Sequence, residues 1–160
     1  MRVLFLCTGN SCRSQMAEGL LRWYGGSVVD VVSAGTDPKP VHPDAVRVMR
    51  EIGLDISRQK SKSVESYFGQ RFDYVITLCD SAKEACPVFP GAARMMHWNL
   101  PDPAAASGSD EERMQFFRGI REQLAFQIDE LLAEILEGFL GKLAELADAS
   151  QADALSMETA

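Results

Sequence analysis

Two residues suited to oxyanion chemistry bracket a short turn near the start of the 160-residue chain. Cys7 follows an apolar run at residues 3–6 that predicts a buried strand, and Arg13 stands six positions later. Ser14 begins a segment of helical character, so the turn joins a strand to a helix N-terminus. Backbone N–H groups of such a turn and the helix dipole bind anions, and they also stabilise a thiolate. We therefore expect an oxyanion site with Cys7 as an acidified nucleophile and Arg13 as a planar clamp.

The residues between this cysteine and arginine are expected to hold the substrate. The predicted substrate-binding set is Thr8, Gly9, Asn10, Ser11, Cys12 and Arg13. Ser14 is placed to hydrogen-bond the charged Cys7 sulfur, and the Asn10 side chain to brace the strained loop. Cys12 is interpreted as a packed small residue, with a protective Cys7–Cys12 disulfide as the alternative.

The distribution of charge separates the body of the chain from its tail. Residues 1–121 carry 15 Lys and Arg against 14 Asp and Glu, whereas residues 122–160 carry one Lys and nine acids. The net charge of −7 therefore belongs to the tail, and the body is compatible with an anionic substrate. No basic patch with interleaved aromatic residues indicates nucleic acid.

No apolar stretch is long enough to cross a membrane, and the short first run does not resemble a signal peptide. We therefore expect a cytoplasmic protein. In that compartment the four cysteines are better interpreted as catalytic or metal-binding than as structural disulfides. A zinc site is disfavoured because there is no Cys-x2-Cys pair and His42 and His97 lack ligand spacing.

Strand and helix patterns alternate along the chain. Three further strands are predicted at residues 28–32, 74–79 and 93–98, and helices at 14–24, 43–52 and 80–85. This order predicts an α/β fold with a doubly wound, four-stranded parallel sheet flanked by helices. Functional groups gather at the carboxyl ends of such strands, so Cys7 and Cys79 are expected at one edge of the sheet. Residues 57–62 are interpreted as a solvated loop in preference to an anion-attracting rim.

A long helix closes the sequence. Ser109 and Glu112 form a capping-box pattern, and an apolar stripe runs from Met114 to Ile135. We predict a domain over residues 1–137 and an acidic extension over 138–160, helical at first and disordered from 149. A helix that overruns its domain is favoured over a partner-binding face.

The run Cys7-Thr-Gly-Asn-Ser-Cys-Arg-Ser14, followed by Met16-Ala-Glu18, resembles the phosphate loop of the low-molecular-weight protein tyrosine phosphatase superfamily. That superfamily includes the thioredoxin-coupled arsenate reductases. The resemblance covers residues 1 to about 135 and implies the phosphatase-like fold, with the phosphate loop after the first strand. It also assigns the general acid to Asp102, which precedes Pro103.

Departures from the phosphatase pattern indicate the reductase branch. Gln15 and Ala104 stand where these phosphatases usually have a proline and an aromatic residue. Cys79 and Cys86 are similar to the paired resolving cysteines of the reductases. The resemblance implies that Cys7 attacks arsenate, that Cys79 and Cys86 relay the disulfide, and that thioredoxin reduces it. Phosphate and sulfate would act as mimics of the substrate.

Two other functions stay open at this point. One is a tyrosine or aryl phosphatase that uses Cys7, Arg13 and Asp102. The other is a non-catalytic oxyanion-binding redox sensor. The resemblance also implies a potassium site of Asn10, Glu18, Ser33 and a carboxylate, but Lys62 stands at the carboxylate position. The ammonium of Lys62 could replace the metal, and a bound potassium ion stays the alternative. We expect no other cofactor and a monomeric protein.

Overall fold

The computed structural model describes residues 1–79 and 88–158, and the side chains as far as residue 147. The four strands are β1 (Arg2–Cys7), β2 (Asp30–Gly35), β3 (Phe72–Thr77) and β4 (Ala92–His97). The helices are α1 (Arg13–Gly25), α2 (Pro43–Arg50) and α3 (Asp110–Glu158). The helix predicted at residues 80–85 lies outside the described residues, as does Cys86.

The strands form one parallel sheet in the order β2-β1-β3-β4, which confirms the predicted α/β class. In the register of β1, Cys7 pairs with Gly35 of β2, and Leu6 pairs with Thr77 of β3. The carboxyl ends of these three strands therefore coincide. This edge of the sheet carries both the turn after Cys7 and the residues that follow Thr77.

The core is built on β1, whose residues from Val3 to Leu6 are completely buried. A central parallel strand is covered on both faces, which accounts for its unbroken apolar run. Helix α1 adds Met16, Leu20 and Leu21 to the buried set. Helix α2 ends at Arg50, earlier than the pattern predicted, and Ile52 beyond it is exposed.

The capping box at the start of α3 is confirmed. Ser109 N donates to Glu112 Oε2 at 2.8 Å, and Glu112 N donates to Ser109 Oγ at 3.3 Å. The apolar stripe of α3 is buried from Met114 through Ile128. A buried face of this kind, together with a proper cap, stabilises the first half of the helix.

Contacts divide the chain into two compact units, Met1–Ile128 and Asp129–Ala160. The sequence predicted disorder from residue 149, but α3 continues to Glu158. No proline follows Pro103, and the tail is rich in alanine, leucine and glutamate, which favour helix strongly enough to tolerate Gly138 and Gly141. Within the described residues, no helix is both long and apolar enough to span a membrane.

Candidate active site

The loop after β1 is held from outside by the segment that follows β2. Asp37 N donates to Thr8 O at 2.9 Å, Lys39 N to Gly9 O at 2.8 Å, and His42 N to Ser11 O at 2.9 Å. Because these donors occupy the loop carbonyls from outside, the N–H groups of the loop can turn toward the enclosed space, as Asn10 N does by donating to Cys7 Sγ. Such a ring of amides at the start of α1 is an anion-binding concavity.

The loop also lies against β2 with no space for a side chain between them. A Cβ atom built on Gly35 would lie 2.5 Å from Thr8 O and 2.8 Å from Asn10 N. Any residue larger than glycine would therefore push the loop out of place. Gly35 sets the closeness of this approach, which explains its position opposite Cys7.

Asn10 adopts a left-handed backbone conformation, with φ of 45°. A non-glycine residue adopts this conformation at an energetic cost, so the surroundings must stabilise it. Its Nδ2 donates to Ser14 Oγ and to Ser33 Oγ, both at 2.8 Å. Its Oδ1 accepts from Lys62 N at 2.8 Å. The predicted role of Asn10 as the brace of the loop is consistent with these contacts.

Asn10 is further held by residues that the sequence analysis did not assign to the site. Gln15 Nε2 donates to Asn10 O at 2.9 Å, and Ser61 Oγ donates to the same oxygen at 2.7 Å. Gln59 Nε2 donates to Gln15 Oε1 at 2.7 Å. The solvated-loop prediction for residues 57–62 is therefore wrong for Gln59, Ser61 and Lys62. Their polar character was the available signal, but it does not distinguish a solvated loop from a buttress.

Cys7 lies at the centre of the loop and is buried as a free thiol. Its Sγ accepts a hydrogen bond from Asn10 N at 3.1 Å and lies 2.8 Å from Ser14 Oγ. Since Asn10 Nδ2 already donates to that hydroxyl oxygen, the hydroxyl proton is free to point to the sulfur. This is the contact that the sequence predicted for Ser14.

The predicted acidification of Cys7 is not found in this state of the protein. Burial raises the pKa of the Cys7 thiol above its ordinary value, and this effect outweighs the hydrogen bonds from Ser14, the charge of Arg13 and the N–H of Asn10. Local sequence indicates which groups stabilise the thiolate, but desolvation depends on the packing of the folded chain. Burial also raises the pKa of Cys12 to about 12, so this neighbouring thiol is protonated at neutral pH.

Arg13 lies beneath the loop with its side chain almost fully buried. Its Nη1 donates to Leu100 O at 2.8 Å, and its Nη2 lies 3.2 Å from Asp102 Oδ1. Among the described residues, Arg13 Nε is the buried side-chain polar atom that lacks a hydrogen-bond partner. A buried donor of this kind is costly unless a ligand uses it. The Nε–H donor of the guanidinium is therefore available for an oxyanion.

Asp102 stands at the mouth of the same space. Its side chain is about half exposed, and Oδ1 accepts from Ala104 N at 3.3 Å as the cap of a short turn of 3-10 helix, Pro103–Ala105. The ion pair with Arg13 fixes the carboxyl group beside the loop. This position allows it to exchange a proton with a group bound in the loop.

The loop opens into a cavity of about 540 Å³. Its lining includes Cys7, Cys12, Arg13, Cys79 and Asp102. Cys79 Sγ lies 3.4 Å from Thr8 Oγ1, so the second cysteine contacts the loop directly. The structure thus brings together three of the four cysteines, and all three are free thiols. The remaining predicted cysteine, Cys86, lies outside the described residues.

A buried carboxylate lies behind the loop. Glu18 Oε2 accepts from Ser33 Oγ at 2.5 Å and lies 3.4 Å from Lys62 Nζ, while Oε1 pairs with Arg22 Nη2 at 2.5 Å. Asn10 joins this group through Ser33. The ammonium of Lys62 therefore lies beside the Glu18 carboxylate, at the place where the family resemblance implied a potassium ion. Over the described side chains, residues 1–79 and 88–147, the structure has no cluster of three metal-ligating side chains.

Comparison with known proteins supports this geometry. The chain is 47% identical over 126 residues to an arsenate reductase of Halalkalibacterium halodurans, covering 79% of this chain and 91% of that protein. A solved arsenate reductase in its phosphate-binding state covers 84% of this chain and 98% of its own, with a TM-score of 0.73 and 36% identity. A thioredoxin-dependent arsenate reductase of Corynebacterium glutamicum matches with a TM-score of 0.66 and 31% identity, covering 86% of this chain and 62% of that one.

The family assignment rests on a longer stretch than the loop alone. The model of the family described as low molecular weight phosphotyrosine protein phosphatase matches residues 2–139. That range includes the loop, the buried Arg13, Cys79 and Asp102, and all four strands. The chain belongs to the low molecular weight phosphotyrosine protein phosphatase family.

Proposed function

We propose that this protein reduces arsenate to arsenite and that thioredoxin supplies the electrons. The observation that carries the proposal is the position of Cys79, which lines the same cavity as Cys7 and contacts Thr8 of the loop. A phosphatase of this family needs Cys7, Arg13 and Asp102, but its hydrolytic chemistry has no use for a second thiol there. The curated relative named above, an arsenate reductase, supports the same conclusion.

Binding of the oxyanion uses groups that are already oriented. Asn10 N already donates to Cys7 Sγ inside the loop, and Arg13 Nε is buried without a partner among the described residues. A tetrahedral oxyanion would accept hydrogen bonds from both. Phosphate and sulfate have the same shape and charge, so both are expected to compete with arsenate.

The first chemical step forms a bond between Cys7 Sγ and arsenic. The thiol is protonated in the free protein because burial raises its pKa, so its proton must leave before the attack. Bound arsenate dianion is itself a base able to take it. One As–O bond then breaks, and Asp102 relays that proton to the departing oxygen, which leaves as water. Ser14 hydrogen-bonds the sulfur while it carries charge.

Reduction takes place when a second thiolate attacks the adduct. Cys79 attacks Cys7 Sγ, a disulfide forms between them, and the electron pair of the S–As bond stays on arsenic, which leaves as arsenite. Cys86 then attacks Cys79, which frees Cys7 and leaves a Cys79–Cys86 disulfide. A thioredoxin dithiol reduces this bond and is itself oxidised. The two electrons that arsenic gains thus come from thioredoxin.

We further propose that Lys62 replaces a bound potassium ion. Its ammonium lies 3.4 Å from Glu18 Oε2 and donates to Lys60 O at 3.0 Å. A positive charge at this point offsets the buried carboxylate, which is hydrogen-bonded through Ser33 to Asn10.

The proposed reaction needs reducing conditions, because it uses free thiols and thioredoxin. This requirement is consistent with a cytoplasmic location.

The experiment that tests the relay is a single-turnover comparison of cysteine variants. Cys86→Ser should release about one arsenite per chain and stop with a Cys7–Cys79 disulfide, which peptide mapping would identify. Cys79→Ser should release none, and Cys12→Ser should turn over like the wild type. Sustained thioredoxin-driven turnover by Cys86→Ser would exclude the relay.

A phosphatase activity is the second candidate, because the loop, Arg13 and Asp102 are the groups that hydrolysis of a phosphoenzyme requires. The family match supports it. Measuring aryl phosphate hydrolysis beside thioredoxin-coupled arsenate reduction separates the two activities. A protein that binds arsenate but turns over neither substrate would instead be a redox sensor.

A further inference from the structure

The second unit of the chain, Asp129–Ala160, carries a row of exposed apolar side chains on α3. Leu136, Phe139, Leu143 and Leu146 follow one another at spacings of three, four and three residues. Leu132 extends the series by four residues toward the N-terminus. We call this row of five side chains the apolar seam. Spacing that alternates between three and four is the heptad pattern by which two helices pack side by side.

The apolar seam is exposed where it could meet another helix. The four side chains from Leu136 to Leu146, together with the neighbouring Leu140, are 47–67% exposed. Clustered exposure of large apolar side chains is unfavourable in water and marks a contact surface. The seam is also distinct from the buried apolar stripe of α3. The next two positions of that stripe are Gly138 and Lys142, so the stripe ends before them.

The positions of the charges identify a suitable occupant. Glu134, Glu137 and Glu145 lie about 140–160° around the helix axis from the seam, as follows from 3.6 residues per turn. Among the positions that flank the seam, Ala133, Ile135, Leu140 and Ala147 are neutral, and Lys142 carries a positive charge. A second copy of the same helix can therefore approach along the seam with no acidic side chain of residues 132–147 between the two helices. An anionic membrane surface is a poorer occupant, because the tail has one Lys against nine acids over residues 122–160 and so offers almost no basic side chains to lipid headgroups.

We infer that the protein forms a homodimer through the apolar seam of α3, in place of the monomer expected from the sequence. Two copies would pair leucine and phenylalanine side chains between helices and keep the acids in solvent. The seam has only two heptads, which is short for a tight interface that typically buries about 800 Å² per partner. The dimer is therefore reversible, and its population depends on protein concentration.

The test is sedimentation velocity of the full chain across the micromolar concentration range. The wild type is expected to shift from monomer to dimer as the concentration rises. Leu143→Glu places a charge in the seam and should weaken association at least about tenfold, which is a loss of roughly 1.4 kcal/mol. Ala144→Glu adds the same charge next to the seam and should associate like the wild type.

Helix content measured by circular dichroism confirms that each variant remains folded, and the wild-type dilution series tests the inference without any variant. A wild type that stays monomeric at every concentration would overturn the homodimer. So would a Leu143→Glu variant that associates as strongly as the wild type. Neither residue belongs to the active site, so basal activity should be the same in both variants.

Discussion

Gln15 Nε2 donates a hydrogen bond to the backbone carbonyl oxygen of Asn10 at 2.9 Å. The N–H of Asn10 donates in turn to Cys7 Sγ at 3.1 Å. Gln15 is fully buried and is itself held by Gln59. A residue that does not line the substrate cavity therefore stabilises the left-handed backbone next to the nucleophile.

Gln15→Leu should destabilise the conformation of the loop, while the leucine side chain still fills the space of the glutamine. Asn10 O would lose one donor, and its N–H would be held less firmly against Cys7 Sγ. We expect the pKa of Cys7 to rise further and kcat/KM to fall about tenfold, the equivalent of roughly 1.4 kcal/mol. The pH dependence of Cys7 alkylation measures the first effect. Gln123→Leu, at an exposed position, is the matched control, and an unchanged pH profile in Gln15→Leu would contradict the role.

The pKa of Cys7 is itself a testable quantity. Because burial raises it above the ordinary thiol value of 9.0, the free protein holds less thiolate at pH 7 than free cysteine does. Alkylation by iodoacetamide should therefore be slow at neutral pH and increase as the pH passes above that value. Ser14→Ala removes a hydrogen bond that favours the thiolate and should move the titration higher still. Thiolate absorbance, compared with Cys7→Ser, reports the titration, and a midpoint below 9.0 would refute the dominance of burial.

Arg13→Lys should lower arsenate reduction by about 10²–10³-fold although the positive charge is kept. The guanidinium contacts Leu100 O and Asp102 with its two Nη atoms while Nε stays available. A lysine ammonium has no planar fork of donors, so it cannot contact Leu100 O, Asp102 and the oxyanion in the same geometry. Steady-state kinetics measure the loss, with the exposed Arg50→Lys as control. Wild-type kinetics in Arg13→Lys would show that this residue is not the oxyanion clamp.

Lys62→Asp should convert the internal ammonium site into a potassium site. The variant would place a second carboxylate beside Glu18, where a cation is needed to offset the charge. We expect its melting temperature to rise with potassium chloride and not with tetramethylammonium chloride, whereas the wild type should respond equally to both. Lys60→Asp, on the neighbouring surface, controls for the charge change. A potassium response in the wild type would argue against the proposed role of Lys62.

A chain that ends at residue 138 should keep its fold and its turnover. The catalytic and binding groups lie between Cys7 and Asp102, and the removed segment contributes acids and the C-terminal part of the apolar seam. Association in sedimentation should nevertheless be lost. Thermal unfolding and arsenate turnover of the shortened chain check the first part. Loss of activity in a folded, shortened chain would show that the extension takes part in the reaction.

The sequence by itself determined the chemistry of the loop. Cys7, Arg13 and Ser14 are close along the chain, so a strand, a tight turn and a helix start are enough to bring them together. Parallel strand topology likewise placed Cys7 and Cys79 at the same edge of the sheet, because alternating strands and helices allow few other arrangements. Even the start of α3 followed from Ser109 and Glu112, since a capping box is a local contact.

Tertiary structure alone decided which residues support the loop and how Cys7 titrates. Gln59, Ser61 and Lys62 lie more than 40 positions from the residues they hold, and nothing local distinguishes them from a solvated loop. The pKa of Cys7 depends on desolvation, which sums over every group packed around the sulfur. The apolar seam of α3 was visible as a pattern, but its exposure is a property of the folded chain, because only packing determines which apolar side chains remain in water.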